Sequence, residues 1–477
     1  MYESFGLFLG GSWSGAAGGT APVVSPVTEK PLGEAPVATA SDTEAAIAAA
    51  GRGLAAWRAK SAFERADALH AIADEMIRRK AEAARMISTE TGKPIAQAER
   101  EWGLSCDQFR WYAEEARRIY GRIVESRVPG GRFEVTREPV GIVAAFTAWN
   151  FPAALIARKV APALAAGCSV IVRPSSQTPG TAMVMVDCCR AGNLPDGAVN
   201  LVVGPTAATY APIMASPLVR KVSLTGSTRV GQQMIRDAAA TMKKVTMELG
   251  GNAPLIVYDD ADLETALAVS VPTKYANAGQ VCVTCDRLFV HESLHDAFVE
   301  GFAARARALK LGDGLDPAVQ MGPVISGARR SELEGVLADA VKEGARVVTG
   351  GGRASAFNAG FFLEPTVLAD VTDDMRVFAE ENFGPIAAIT RFREEEEVLE
   401  RANAGEMGLS AYAFTRSPDR ARRTVAALKA GMVGINSFAM AASEAPFGGT
   451  RYSGMGREGG SEGIADYLDT KLAQIVF

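Results

Sequence analysis

Histidine is almost missing from this 477-residue chain: His70, His291 and His295 are the only three. A His-dependent catalytic triad or a His-rich metal centre therefore has little to build on. Cysteine is sparse too, at six residues, too few for a disulfide scaffold at this length and suited to a reducing cytosol. Neither sign of charge is in excess, since 50 basic against 55 acidic residues leave a formal net charge of −5. Nucleic-acid binders usually carry a net basic face, so a polyanion partner is not expected. Long hydrophobic runs are also lacking. The longest uncharged stretch, Pro139–Ala157, carries Trp149-Asn150-Phe151-Pro152 near its centre; there a proline interrupts the helix and a polar amide would sit in mid-membrane. A strand, a turn and a helix start are expected instead. The first residues, MYESFGLFLGG, include Glu3 and no basic segment, unlike a secretory signal. The expectation is a soluble, cytoplasmic protein with no membrane partner.

Apolar residues make up 48% of the chain, ample for large cores, and the length suggests about three folding units, or two with elaborations. There is no internal repeat, low-complexity run or long linker. Early residues favour helices. Ser41-Asp42-Thr43-Glu44 reads as a capping box before an Ala-rich helix, and Thr91-Gly92-Lys93-Pro94 reads as a helix stop. From Val140 the rhythm changes to short β-rich runs (Val140–Phe146, Ser169–Val172, Asn200–Val203, Lys221–Leu224, Lys244–Met247) alternating with helical segments. That pattern predicts a parallel sheet with helices on its faces. A second alternating region follows from Pro254 to about Asn436, so two α/β units are expected rather than one very wide sheet. Arg122–Glu138 and Asp469–Phe477 are β-like and belong to neither rhythm; such strand edges are usually covered by a partner.

Two apparent motifs lead elsewhere. His291-Glu292-Ser293-Leu294-His295 matches H-E-x-x-H, which binds zinc only when both histidines share one helical face. Arg287–Val290 reads as a strand and Ser293 as the cap of the next helix, which leaves His291 outside it. Cys282-Val283-Thr284-Cys285 is a single C-x-x-C with no second pair to complete four zinc ligands. No metal is expected.

A third set of residues converges on one reading. Asn277-Ala278-Gly279-Gln280-Val281-Cys282 places a cysteine after a turn-forming stretch, and Glu248-Leu249-Gly250-Gly251 places a carboxylate at a strand end, where α/β sheets bind ligands. With Trp149–Pro152, Leu224-Thr225-Gly226-Ser227, Glu381-x-Phe383-Gly384-Pro385 and Pro446–Gly449, in this order over essentially the whole chain, the sequence resembles the aldehyde dehydrogenase superfamily, nearest its succinate-semialdehyde and lactaldehyde dehydrogenase branches. The resemblance implies an α/β fold with a Rossmann-like dinucleotide-binding domain (1–121 and 140–250), an α/β catalytic domain (251–436) and a small β oligomerisation arm (122–139 and 466–477). Residues 437–465 would return to the cofactor domain and form the active-site rim, and the chain would act as a homodimer or homotetramer.

The same resemblance assigns roles. Cys282 would attack the aldehyde carbon, the Asn150 amide with the Cys282 backbone N–H would hold the oxyanion, and Glu248 would activate water against the thioester. Lys159 and Glu458 match a proton path beside that base; a structural ion pair is the other reading. No G-x-G-x-x-G follows the first strand. Gly226, Ser227 and Gly231 instead open a helix whose first amides could meet a pyrophosphate, with Trp149, Ser175 and Leu249 nearby, Glu381 on the nicotinamide ribose and Phe383 near the ring.

Departures from the family pattern carry the finer expectations. Arg173 stands where a lysine is usual, and Ser176 where NAD-restricted members usually place a glutamate that repels a 2′-phosphate. Serine leaves room and an arginine fork can grip phosphate, so NADP is expected at least as readily as NAD. Arg158, with Phe151 and Phe447, would bind a carboxylate or polar tail, or Arg158 is structural. Ala276 stands where a second arginine is common and Ala441 where a serine is, so the anion pocket is thinner than usual. The favoured reaction is oxidation of succinate semialdehyde, with lactaldehyde, glycolaldehyde or sulfolactaldehyde as alternatives. A catalytically silent relative would lack Cys282, Glu248 or Asn150, and a zinc hydrolase would need His291 and His295 together.

Overall fold

The computed structural model describes Tyr2 and residues 5–477; Met1, Glu3 and Ser4 lie outside the described residues, and with them the reading of Glu3. Two sheets organise the chain. The first runs, edge to edge, Gly454–Met455, Lys244–Glu248, Val219–Thr225, Ile142–Phe146, Ser169–Arg173, Val199–Leu201, Leu7–Leu9 and Ser12–Ser14. Its five central strands are parallel and its outer ones antiparallel. Ile142–Phe146 is buried at every residue. Sheets covered on both faces take continuous apolar strands of this kind. The helices Ala40–Arg58, Pro152–Ala166 and Pro179–Cys189 join it in one hydrophobic core.

The second sheet runs Arg346–Thr349, Thr366–Ala369, Ile386–Phe392, Cys285–His291, Ala253–Val257, Ser410–Phe414 and Met432–Ile435. All pairings are parallel except that of Arg346–Thr349. It has a separate core. The α/β class expected from the alternating rhythm is thus what the chain forms. Pro139–Ala157 resolves into a strand end, a turn and the start of the helix Pro152–Ala166. Among the described residues no helix is long and apolar enough to cross a membrane.

Three local expectations change. The early segment also contains strands, Thr20–Val24 and Pro31–Pro36 forming a hairpin and Leu7–Leu9 pairing with Val199–Leu201. These runs are short, and prolines at 22, 31 and 36 restrict them to edges, so they leave little periodic trace. The first helix is capped by Thr39 and Asp42, not Ser41 and Glu44. Thr39 N–H donates to Asp42 Oδ2 at 2.8 Å and Asp42 N–H to Thr39 Oγ1 at 3.3 Å. Tertiary contacts select that register, since Asp42 also accepts from Ala17 N–H at 3.1 Å and Thr43 donates to Ala208 O at 3.0 Å. The helix Glu292–Arg307 is capped by His291 itself, whose Nδ1 accepts from Ser293 N–H at 3.3 Å. Ser293 is therefore inside the helix, while His295 is buried beside Asp296, at 3.0 Å. Among the described residues no three metal-ligating side chains converge.

The two unassigned β segments find their partner in each other. Gly131–Pro139 pairs antiparallel with Leu468–Val476 along its whole length and with Arg122–Glu125 on its other side. Both segments expected to form one β arm therefore share a single three-stranded sheet. Their outer edges remain open, with Leu472 and Ile123 exposed.

Candidate active site

In the first sheet the strand order reverses beside Ile142–Phe146, with Ser169–Arg173 following on one side and Val219–Thr225 on the other. Such a switch point opens a crevice at the carboxyl ends of the strands. Those ends lead directly into Trp149-Asn150 and Gly226-Ser227. A cavity of about 330 Å³ lies there, lined by Trp149, Asn150, Gly226, Ser227, Leu249, Cys282, Glu381 and Phe383. Residues that the sequence scatters over more than 200 positions therefore share one wall-to-wall space.

Cys282 enters from the other sheet, just before the strand Cys285–His291. The loop carrying it is strained: Asn277 and Ala278 have φ of 48° and 54°, and Gly279 follows at 73°. Left-handed backbone costs an ordinary residue roughly 1–2 kcal/mol, so surrounding bonds must hold it. Asn277 Nδ2 donates to Asn150 O at 3.1 Å and to Gln280 O at 3.2 Å, and Gln280 Nε2 donates to Asn277 O at 2.8 Å. Gln280 Oε1 accepts from Ile325 N–H at 2.9 Å. A Cβ on Gly279 would overlap the carbonyl of Gly384, so two of the sequence motifs are locked against each other. The Cys282 thiol is pushed up to about 12 by burial first, then by the Glu381 and Glu248 carboxylates. Cys285 is fully buried at the start of its strand, after a turn in which Thr284 N–H donates to Val281 O at 3.1 Å. Both thiols are free.

Asn150 is buried, and its Nδ2 donates to Gln280 O at 3.2 Å. That bond orients the amide and leaves its second N–H for another acceptor. Glu248 is buried with neither carboxylate oxygen partnered among the described residues. Burial, then the charge of Glu458, raises it well above the usual carboxylate range. A Cβ on Gly448 would stand 2.6 Å from Glu248 Oε1, which gives the Pro446–Gly449 motif a direct steric role. Lys159 is fully buried, donates to Thr225 Oγ1 at 2.8 Å and pairs with Glu458.

Arg158 is also buried, 7% exposed, with its guanidinium 3.9 Å from the Phe447 ring centroid. Phe447 packs with Leu409, Met432 and Cys282. Among the described residues Arg158 has no carboxylate partner and no hydrogen bond, unlike most of the chain's buried cations. Phe151 lies under the Lys93 ammonium, 4.1 Å away.

The remaining residues divide. Trp149 and Phe383 meet edge to face at 5.7 Å, and Glu381 accepts from Gly251 N–H at 3.0 Å, its carboxyl pushed up to about 8 by burial. The helix Thr228–Ala239 has no side chain capping its first turn, so its amides are free for an anion. Gly231 does not line the cavity: a Cβ there would lie 2.5 Å from the Leu249 side chain, so it permits helix-to-loop packing. Arg173 and Ser176 line a second cavity of about 660 Å³ with Gln177 and Thr206. Arg173 is already engaged, donating to Thr209 Oγ1 at 3.2 Å and Gly204 O at 3.1 Å. Ser175 Oγ accepts from Gln177 N–H at 3.2 Å and shapes that turn. Two cavities along a switch-point crevice, uncapped amides and a carboxylate for a ribose are what a dinucleotide would require.

Sequence reasoning missed Lys93, Glu101 and Gln280 as site components. Lys93 Nζ donates to Asn150 O at 2.7 Å and to Glu101 Oε2 at 2.6 Å. Only Gln280, two residues before Cys282, carries a local signal; Lys93 reads in the sequence merely as part of a helix stop.

Fold and site together define a doubly wound α/β enzyme with a thiol facing a nucleotide-type crevice. The pattern of the aldehyde dehydrogenase family matches residues 13–473, and the chain belongs to that family. It is 44% identical to the 3-sulfolactaldehyde dehydrogenase of Pseudomonas putida over 465 residues, covering 97% of this chain and 95% of that one. It is 43% identical to the NADP(+) succinate-semialdehyde dehydrogenase GabD of Escherichia coli strain K12, covering 97% and 96%. A crystal structure described as an E. coli NADP-dependent enzyme superimposes with a TM-score of 0.97 at 42% identity, covering 99% of this chain and 98% of that one.

Proposed function

We propose that the protein is a cytoplasmic, NAD(P)-dependent dehydrogenase that oxidises a short aldehyde with an anionic or polar tail to the carboxylic acid, succinate semialdehyde first. Sulfolactaldehyde, lactaldehyde and glycolaldehyde are the alternatives. The observation that carries the anionic tail is Arg158, a buried guanidinium without a carboxylate, beside the aromatic and aliphatic wall that also touches Cys282. With no hydrogen-bond partner of its own among the described residues, the guanidinium keeps its N–H donors free for a substrate carboxylate or sulfonate, which an arginine fork can grip bidentately. The relatives named above act on aldehydes of that kind.

The residues divide the reaction. The Cys282 sulfur forms a bond to the aldehyde carbon as its thiol proton passes to the Glu248 carboxylate, and the carbonyl oxygen becomes an oxyanion facing the free N–H of Asn150 and the Cys282 backbone N–H. One such donor is typically worth about 2.7–4 kcal/mol. A nicotinamide cofactor would accept the hydride that leaves the former aldehyde carbon, and Glu381, Trp149, Phe383, Leu249 and the Gly226-Ser227 helix start would hold it. A Cys282 thioester results. Glu248, as carboxylate, takes a proton from water; the water oxygen bonds to the acyl carbon and the C–S bond breaks, releasing the acid. Lys159 and Glu458 carry the proton away from Glu248. In this assignment residues 1–121 and 140–250 hold the cofactor, residues 251–436 the cysteine, and 437–465 the rim. Arg173 and Ser176 make NADP at least as acceptable as NAD.

The test is a panel of aldehydes, with and without an anionic tail, followed by nicotinamide absorbance in wild type and Arg158→Leu. Loss of a charge-assisted contact of about 1.5–3 kcal/mol should raise KM roughly 10–100-fold for the anionic aldehydes and leave propionaldehyde nearly unchanged. Equal effects on both would remove Arg158 from substrate recognition. The open outer edges of the 122–139 and 466–477 arm suit strand pairing between copies, giving a homodimer or homotetramer. Light scattering that reports a monomer at micromolar concentration overturns that assembly.

A further inference from the structure

Thr91-Gly92-Lys93-Pro94 ends one helix, yet its lysine is used in the site. Lys93 is 1% exposed and its ammonium makes two bonds, to Glu101 Oε2 at 2.6 Å and to the backbone carbonyl of Asn150 at 2.7 Å. The other oxygen of Glu101 accepts from Ala153 N–H at 2.8 Å and Ala154 N–H at 3.3 Å. Those are first-turn amides of the helix Pro152–Ala166, whose own N-cap residue, Phe151, offers no side-chain cap. Glu101 therefore caps that helix from another one, Ile95–Ala116, as a carboxylate suited to a helix N-terminus. Lys93 also lies over the Phe151 ring at 4.1 Å. The pair thus grips the Trp149–Pro152 turn and the first turn of the helix that follows it.

The carbonyl that Lys93 holds is shared. Asn150 O also accepts from Asn277 Nδ2 at 3.1 Å, and Asn277 belongs to the strained loop that delivers Cys282. Lys93 and the cysteine loop meet at one atom, the backbone carbonyl oxygen of Asn150, whose side chain shares a cavity wall with Cys282. We propose that Lys93, acting with Glu101, is the positioning residue of the oxyanion site: it fixes the Asn150 turn against the Cys282 loop so that the free Asn150 N–H is aimed before substrate arrives. The proposal rests on the functional reading above and adds to it two residues that touch neither aldehyde nor cofactor. A purely structural ion pair would need only each other. This pair spends its remaining bonds on the turn and on the helix that follow the amide, where a displacement of about 1 Å costs on the order of 100-fold in rate.

The experiment compares wild type, Asn150→Ala, Glu101→Gln, the charge-neutral double variant Lys93→Met/Glu101→Gln, and that double variant with Asn150→Ala. Each is measured for melting temperature, NADPH affinity by fluorescence, and pre-steady-state NADPH formation with succinate semialdehyde and with propionaldehyde. The double variant avoids a lone buried charge; Glu101→Gln is the gentler probe should it fold poorly. The expected result is unchanged NADPH affinity and KM, with the burst rate down about 10–100-fold in the double variant and about 3–10-fold in Glu101→Gln. In the Asn150→Ala background the same pair of changes should cost less than about threefold, because both act through one amide. A burst rate within twofold of wild type in folded Lys93→Met/Glu101→Gln, or in folded Glu101→Gln if the double variant does not fold, overturns the proposal, as does a full additive loss on top of Asn150→Ala. No burst in wild type with either aldehyde overturns the functional reading and this proposal together, whereas a normal wild-type burst that the variants retain overturns this proposal alone.

Discussion

The two ends of the crevice are built on different terms. At the cysteine end Asn150, Glu248, Lys159 and Gln280 are all buried, and the chain passes so closely that a methyl group on Gly279 or Gly448 would strike a carbonyl or the Glu248 carboxylate. At the far end Ser176 is exposed, Arg173 is held by one carbonyl and two hydroxyls, and the cavity is about twice as large. The cysteine end is a packed constellation in which position is everything. The far end is a roomy surface lined by one exposed serine and an arginine already engaged with the protein. Substitutions should therefore abolish or slow chemistry at the first and only re-rank ligands at the second.

The largest effect expected is that of Cys282→Ala. Without the sulfur no covalent adduct forms, and hydride transfer to the cofactor should vanish in a stopped-flow burst measurement. A near-normal dehydrogenase rate in that variant would dissolve the contrast between the two ends altogether. Next comes Glu248→Gln, which should keep the burst but slow steady turnover by about 10²–10⁴-fold. Its pH dependence sharpens the point. Burial and the neighbouring Glu458 charge raise the Glu248 carboxyl, so its acid form persists well above the usual carboxylate range and the basic form grows as pH rises. Wild-type turnover should climb with pH across that interval, and the Glu248→Gln profile should lose the climb. A wild-type profile that falls over the same interval would show the assigned protonation state to be reversed.

The smallest effect belongs to the far end. Ser176→Glu should shift the ratio of kcat/KM for NADP over NAD toward NAD by about tenfold or more, from like-charge repulsion of a 2′-phosphate, with the burst amplitude unchanged. Should the ratio stay put, the second cavity does not hold the 2′-phosphate, and the comparison loses one of its terms.

The sequence by itself determined the family and the fold class. Cys282, Asn150 and Glu381 stand in short contiguous motifs, and strand-helix alternation is a local signal, so the α/β class and residues that meet on one cavity could be read in advance. Gly231 was legible as a helix-opening glycine, but only the fold turned it toward Leu249 instead of the cavity. What tertiary structure alone decided is everything that depends on distant segments meeting. It chose Thr39 over Ser41 as a cap through contacts with Ala17 and Ala208. It paired the two arm segments, as in the bond from Arg137 to Thr470 across 333 positions, and it drew Lys93 under Asn150. The physical reason is common to all three. A local propensity acts on neighbours in the chain and so leaves a periodic trace there, whereas a hydrogen bond between remote groups depends on where the whole fold has carried them.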